Sequence, residues 1–246
     1  MYPSLICVFL CFCSVWTEGL YAQKQEKDQR TREDVFSSSP LRPYFRLGWN
    51  TLLAHPPELS TSVFPSLSYD GGLAWVIPIS KYEGFTLAPS VELASRNFRF
   101  KEEFTLSSRD GKIYLSPVRD LVEGGLERVE SSSYQLRTLC LMGELQYARS
   151  IFSGGDMFFI GLGAFVGRLL ESRTTFHYES IEGIPVKRTV SQDYYSSKYP
   201  YGIQVKLGYA FISIFYRMPL SPLFGPEKGP LGLRTTFSTA GIHIGF

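Results

Sequence analysis

The sequence is poor in cysteine and histidine, and neither residue type is grouped in a way that supports chemistry. Three of its four cysteines (Cys7, Cys11 and Cys13) lie near the N-terminus, which leaves Cys140 alone in the rest of the 246 residues. A lone cysteine excludes an internal disulfide and a cysteine-ligated metal site. The three histidines (His55, His177 and His243) show no metal-ligand spacing, so no metal ion is predicted.

Long apolar runs and an excess of either charge are also missing. Beyond the N-terminus no stretch of about 18 uncharged apolar residues occurs, which argues against a helical membrane span. The 25 basic and 23 acidic residues give a net charge of +2, and no basic cluster interleaved with aromatic residues favours nucleic-acid binding. No nucleotide-binding loop or nucleophile elbow occurs, so the sequence predicts no cofactor and no catalytic residue.

What the sequence does have is strand-like alternation, and the C-terminal segment shows it best. Aromatic residues make up 15% of the chain, and its 22 glycines suit tight turns. In the last residues Ala240, Ile242, Ile244 and Phe246 share one face, whereas the opposite face is small or weakly polar. A strand with lipid on one side and a crowded interior on the other has this pattern.

Seven further segments alternate in the same way. They cover residues 44–53, 66–79, 85 onward, 134–148, 157–170, 199–211 and 212–218. Between the last two the apolar parity flips from Phe211 to Ile212, so a tight reversal or a bulge lies there. We favour the reversal, because bacterial membrane barrels have an even number of strands. The sequence thus predicts an all-β fold, an eight-stranded antiparallel up-and-down transmembrane β-barrel.

The connections between these segments alternate in length. Residues 54–65, 101–133, 171–198 and 221–232 form the longer connections, and residues 80–84, 150–156 and the junction near 211 form the short ones. Outer-membrane barrels have short turns on one side and long loops on the other. Turn chemistry at Arg109-Asp-Gly111 and Ile181-Glu-Gly183 predicts a hairpin within each of the two longest loops.

Alternation alone does not say which face points inward, and a soluble barrel would bury its apolar face. Two features favour lipid outside: the polar face is rich in glycine, and aromatics lie toward strand ends at Tyr44, Trp75, Tyr147, Tyr199, Tyr201 and Tyr209. The third feature is that the polar face carries charged side chains of both signs. We predict a lumen charge network of Arg46, Asp70, Glu92, Arg96, Glu144 and Lys206, with Arg96 and Lys206 neutralising Glu92 and Glu144.

The N-terminus has the pattern of an export signal. An apolar run of about a dozen residues from Leu5 precedes a cleavage site after Ala22, and residues 23–42 are charged and then serine-rich. We therefore expect a signal peptide at 1–22, a disordered periplasmic lead-in at 23–42 and an outer-membrane β-barrel at 43–246.

Four strand patterns resemble the PorT-type outer-membrane β-barrel domain of Bacteroidetes. They are Phe85-Thr-Leu-Ala-Pro-Ser-Val-Glu-Leu93, Tyr134-Gln-Leu-Arg-Thr-Leu-Cys-Leu141, Ile160-Gly-Leu-Gly-Ala-Phe-Val-Gly167 and Tyr201-Gly-Ile-Gln-Val-Lys-Leu-Gly208. In that family a proline usually stands inside the fourth strand, where this chain has Leu139 or Cys140. The resemblance implies an outer-membrane barrel in the cell envelope, and a secretion role only for those members that have one.

The expected function is that of a non-enzymatic outer-membrane anchor. Outer-membrane lipids surround its barrel, and its long extracellular loops, Lys101–Ser133 and Glu171–Lys198, contact a protein partner such as a secretion-system component, surface glycans or lipopolysaccharide. Two alternatives remain open at this stage. One is a soluble exported barrel that binds a small apolar ligand and turns Leu139, Leu141, Ile203 and Leu207 inward; the other is a lipid-modifying membrane enzyme that uses His55 or His177.

Overall fold

The chain folds into a ring of antiparallel strands. The computed structural model describes residues 40–53, 61–62, 66–79, 84–101, 103–122, 125–150, 157–192 and 194–245, so the predicted signal peptide and most of the lead-in lie outside it. The strands are β1 (Leu41–Leu53), β2 (Leu67–Trp75), β3 (Ile77–Pro78), β4 (Phe85–Arg99), β5 (Phe104–Arg109), β6 (Lys112–Pro117), β7 (Leu126–Ser150), β8 (Met157–Ser180), β9 (Pro185–Ser191), β10 (Tyr201–Tyr209), β11 (Ile212–Pro219) and β12 (Thr236–Gly245).

Eight of these strands form the barrel, in the order β1, β2, β4, β7, β8, β10, β11 and β12. Each pairs with its neighbour, and β12 pairs with β1 over ten positions, which closes the ring. The predicted eight-stranded up-and-down barrel is confirmed. β1 begins at Leu41, so Leu41 and Arg42 belong to the barrel and not to the lead-in that the sequence predicts.

The outer surface of the ring is apolar. The side chains of Trp75, Leu141, Leu162 and Ile214 are between 56% and 61% exposed, and their neighbours on the same face are exposed in the same way. Leu139, Leu141, Ile203 and Leu207 all lie on this outer face, so the apolar-pocket alternative is wrong. An apolar surface that continues around a closed barrel is compatible with lipid and not with water, and the chain is therefore a membrane β-barrel.

The two ends of the barrel differ as the connection lengths predict. One end, here called the short-turn end, carries the close of the β3–β4 pair, where the N–H of Ile79 donates a 2.9 Å hydrogen bond to the carbonyl oxygen of Phe85, and the two-residue reversal Ala210–Phe211 between β10 and β11. The predicted tight reversal at that point is confirmed, with Ala210 in the left-handed region at φ 52°. The other end, the long-loop end, carries the described parts of the long connections.

Much of what the sequence presents as long loop is sheet. β7 begins at Leu126 and runs for 25 residues, and β8 continues to Ser180 over 24 residues, whereas about 9–11 residues suffice to cross a bilayer. The predicted segments stop early, at Tyr134 and Leu170, because the residues next to these limits, 127–133 and 171–175, are mostly polar. The strands continue there because β9 pairs with β8 and closes the second predicted hairpin.

Aromatic residues mark both edges of the apolar band. Trp75, Tyr147 and Tyr209 lie exposed toward the short-turn end, and Tyr199 and Tyr201 lie exposed toward the long-loop end. The expectation for Tyr44 is wrong: it is 6% exposed, points into the barrel and donates a hydrogen bond to Glu92. Its even number puts it on the inward face of β1, with Arg46.

Glycines bring β1 and β12 close together where the ring closes. Gly48 and Gly241 are directly paired, and a Cβ atom on Gly48 would stand 2.7 Å from the Cγ2 atom of Thr239. A Cβ atom on Gly241 would overlap the backbone of Leu47 and Gly48, which cannot rotate away. Residues without a side chain are therefore required on this inward face of the closing pair.

Gly241→Val should destabilise the barrel by about 1–3 kcal/mol or prevent closure, because the new side chain meets backbone. Ala240→Val is the matched control, since Ala240 is the next residue along β12 and is exposed to lipid. Urea unfolding in lipid vesicles, followed by tryptophan fluorescence, measures both. Equal stability of the two variants would contradict the close packing at the seam.

Candidate functional site

The interior of the barrel is filled by a network of buried charges centred on Glu92. One carboxylate oxygen of Glu92 lies 2.7 Å from Nη1 of Arg46 and accepts a 2.8 Å hydrogen bond from the hydroxyl of Tyr44. The other lies 2.6 Å from Nη1 of Arg217. Both arginines and the carboxylate are at most 1% exposed, so the three charges are removed from water and depend on each other.

Two further carboxylates extend the network. Asp70 lies 3.2 Å from Arg217 and 3.5 Å from Arg96. Glu144, on β7, pairs with Lys206 at 2.6 Å and accepts a 3.1 Å hydrogen bond from Gln204. Gln204 in turn accepts a 3.1 Å hydrogen bond from Nε of Arg217, which joins the Glu144 group to the Glu92 group.

The charged groups of this network also contact uncharged side chains: His243 on β12 and two aromatic rings on β8. His243 accepts a 2.9 Å hydrogen bond at Nδ1 from Nε of Arg46, so its ring is neutral, with the proton on Nε2. β8 contributes Phe165, whose ring lies 4.8 Å from the guanidinium of Arg217, and Phe159, whose ring lies 5.2 Å from the ammonium of Lys206. The network therefore touches all eight strands of the ring.

All six residues proposed from the sequence lie inside the barrel, and Lys206 neutralises Glu144 as expected, but Arg96 does not pair with Glu92. Glu92 pairs with Arg46 and Arg217, and Arg96 pairs with Asp70 instead. Arg217 is the residue that the sequence analysis missed. The alternation along β11 could have revealed Arg217, because Arg217 lies on the face opposite the apolar Tyr216 and Met218.

An apolar plug closes the barrel above this network, at the long-loop end. Phe98, Tyr134 and Phe237 line the rim from inside, and the rings of Phe98 and Phe237 meet edge to face at 5.2 Å. Leu106 and Ile113, from the hairpin of β5 and β6, are each 2% exposed and pack on the same cluster. The first predicted hairpin is thus confirmed, but it folds over the mouth of the barrel instead of rising above it.

The plug is held by loop contacts and leaves little space below it. The hydroxyl of Tyr194 contacts that of Thr174, and its ring meets the ring of Tyr134 at 5.4 Å. Burial raises the pKa of Tyr194, so this phenol stays protonated and available for hydrogen bonding. A cavity of about 30 Å³ between Cys140, Phe165 and Leu223 has room for one water molecule.

Above the rim, β7, β8 and β9 continue as a three-stranded sheet on one side of the barrel. One face of this sheet is apolar, because Phe176 and Tyr178 pack there against Val118 and Val122. Val118 is the first residue of a short 3-10 helix (Val118–Leu121), and Val122 directly follows it. The covered face gives the projecting sheet its own small core. Its outer face carries polar residues, and this end of the molecule is the surface available for contacts beyond the membrane.

The lipid-modifying enzyme alternative uses His55 or His177, and the described residues include only the second of these. His177 lies on the projecting part of β8, paired with Ser131 and Lys187, whereas His243 is in the lumen. His55 falls outside the described residues. Within the described ranges no group of three or more His, Cys, Asp or Glu side chains is placed to hold a metal ion, and no helix is long and apolar enough to cross a membrane.

Glu92→Gln should destabilise the barrel by about 3–5 kcal/mol, because it leaves two buried arginines without a full counter-charge. Asp110→Asn is the control: Asp110 pairs with Arg109 at 3.5 Å, but both side chains are 83% exposed, and the expected change is within about 0.5 kcal/mol. The urea midpoint of each variant measures its change in stability. Samples loaded on gels without heating show the folded fraction, because the folded and unfolded barrel migrate differently. If the two variants proved equally stable, the Glu92 centre would not hold the barrel together.

Comparison with known proteins gives few matches. No family model matches the chain, and no curated protein matches it. Among solved structures, the chain is similar to Ail, the attachment invasion locus protein of Yersinia pestis, which was solved with the heparin analogue sucrose octasulfate. The two sequences are 10% identical, the match covers 84% of this chain and 97% of Ail, and the TM-score is 0.32. It is also similar to a mutant of Rh. blastica porin at 11% identity, with 84% and 99% coverage and a TM-score of 0.21. The chain is a membrane β-barrel by its own closed ring of strands and apolar outer wall.

Proposed function

We propose that the chain is a non-enzymatic outer-membrane protein whose barrel anchors an interaction surface on the outside of the cell. The observation that carries this proposal is the contrast between the two ends of the barrel. The short-turn end has the two-residue reversal Ala210–Phe211, whereas the long-loop end carries the sheet of β7, β8 and β9 and the β5–β6 hairpin. In outer-membrane barrels the elaborate end faces outward.

Transport through the barrel is the main competing function, and the filled interior argues against it. The lumen holds the Glu92 and Glu144 groups, and the plug of Phe98, Tyr134 and Phe237 lies above them. Eight strands enclose only enough room for side chains or one small ligand. Function then falls to the surface beyond the membrane.

A protein partner is the occupant we favour for that surface. The projecting sheet is long, stabilised by its own cluster around Phe176, and has β9 as an edge strand. Edge strands attract other strands, and Pro185 and Lys187 on β9 are residues that limit uncontrolled pairing. The resemblance to the PorT-type family supports an accessory role in protein secretion, with the N-terminal segment as its export signal.

Orientation is the first test of this function. Arg109→Cys, at the exposed tip of the β5–β6 hairpin, should react with a membrane-impermeant maleimide on intact cells. Arg149→Cys, exposed near the other end of β7, should react only after the outer membrane is permeabilised. Cys140 is buried in the lumen and serves as an internal background, since the parent protein should stay unlabelled.

The labelling experiment has two outcomes that would contradict the proposal. Labelling of the Arg149 variant but not of the Arg109 variant on intact cells would place the long-loop end in the periplasm. If neither variant is labelled in the membrane fraction and the protein is recovered in the soluble fraction, the proposal that the barrel lies in the membrane is contradicted.

A further inference from the structure

A group of basic side chains lies on the outer wall of the barrel at the edge of the apolar band. Arg137 on β7, Arg168 on β8 and Lys198 after β9 are exposed, and Arg173 is partly exposed. The register places them close together, because Leu139 pairs with Arg168 and Gln135 pairs with Arg173. They mark the height at which lipid tails end and lipid headgroups begin.

The positive charge of this basic cluster is largely uncompensated. Its nearest carboxylate is Glu171, which lies 3.1 Å from Arg137 and 3.6 Å from Arg173. Nε of Arg173 also donates a 2.7 Å hydrogen bond to Gln135. These contacts orient two guanidinium groups side by side, and within the described residues Glu171 is the one carboxylate in ion-pair contact with the four cations.

The cluster occupies one side of the barrel only. β1 and β12 lie across the ring from β8 and β7, where the exposed Arg234 stands just before β12 and donates a 3.1 Å hydrogen bond to the carbonyl oxygen of Leu220. What distinguishes this wall is the grouping of four basic side chains on neighbouring strands, which points to a ligand that binds there.

An apolar groove lies on the same wall, directly below the cluster. Its floor is formed by Gly143, Ala164 and Pro89, which are neighbours in the sheet. Leu141 and Val166 lie between this floor and Arg168. The groove has a volume of about 720 Å³ and extends across β4 to Trp75. Small residues at the floor leave room for a hydrocarbon chain against the barrel.

We propose that this wall binds a phosphorylated lipid of the outer leaflet, with its phosphates on Arg137, Arg168 and Arg173 and an acyl chain in the groove. A headgroup site joined to an acyl groove fits a lipid better than it fits free phosphate or a soluble glycan, neither of which would use the groove. Guanidinium groups suit phosphate because they donate two parallel hydrogen bonds. The site rests on the proposed outward orientation of the long-loop end.

The test is a titration of fluorescent bisphosphorylated lipid A into the purified full-length barrel in a non-ionic detergent. Each basic residue near an anionic surface strengthens binding about fivefold, so the combined variant Arg137→Gln/Arg168→Gln/Arg173→Gln should bind about a hundredfold more weakly. The corresponding Lys variant should lose far less, since it keeps the charge. Arg149→Gln, at the other end of the barrel, should bind like the parent protein.

Three results would overturn the lipid site. They are unchanged binding by the triple Gln variant, equal binding of dephosphorylated lipid A, and displacement of the lipid by inorganic phosphate or a soluble sulfated oligosaccharide. If the triple variant does not fold, Arg168→Gln alone should still weaken binding about fivefold, and no change would contradict the site. Because the titration is done in detergent, its failure is separate from a failure of the orientation experiment.

Discussion

A strand inside a bilayer must hydrogen-bond along both edges, because lipid offers its backbone no partner. In this chain the pairing of β12 with β1 meets that requirement, and it depends on Gly48 and Gly241, whose backbones approach closely at the junction. Once the ring is closed, the period of two along every strand divides the side chains into an outer and an inner set. The apolar wall and the buried ions follow from that single division.

The inner set fills the barrel and binds its strands together. A narrow lumen leaves little room for water, so each buried charge needs a protein partner at close range. Arg217 supplies the link, since it contacts Glu92, Asp70 and Gln204 and thereby joins strands from different parts of the sequence. A core built this way holds the wall rigid, and binding surfaces are left to the outside of the barrel and to its long-loop end.

The fold could be predicted because strand parity is a local property, visible in runs such as Tyr201 to Tyr209. Ion pairs could not be predicted to the same degree, because Arg46 and Glu92 meet across the lumen only at the shear and tilt of the finished barrel. Beyond the membrane the apolar alternation fades, since residues 127–133 are mostly polar even where one face, at Ser132, is buried. The hairpin turn at Asp110 and Gly111 was visible in the sequence, but nothing local shows that Leu106 and Ile113 fold inward to cover the mouth.

The tall sheet of β7, β8 and β9 stands on one side of the ring only, and the basic cluster lies on the same side. The molecule consequently has a front and a back when seen from above the membrane. A neighbour that docks against the tall wall fixes the rotation of the barrel about the membrane normal as well as its position. Copies placed in an assembly would all face the same way relative to that neighbour, which a barrel with a level rim could not ensure.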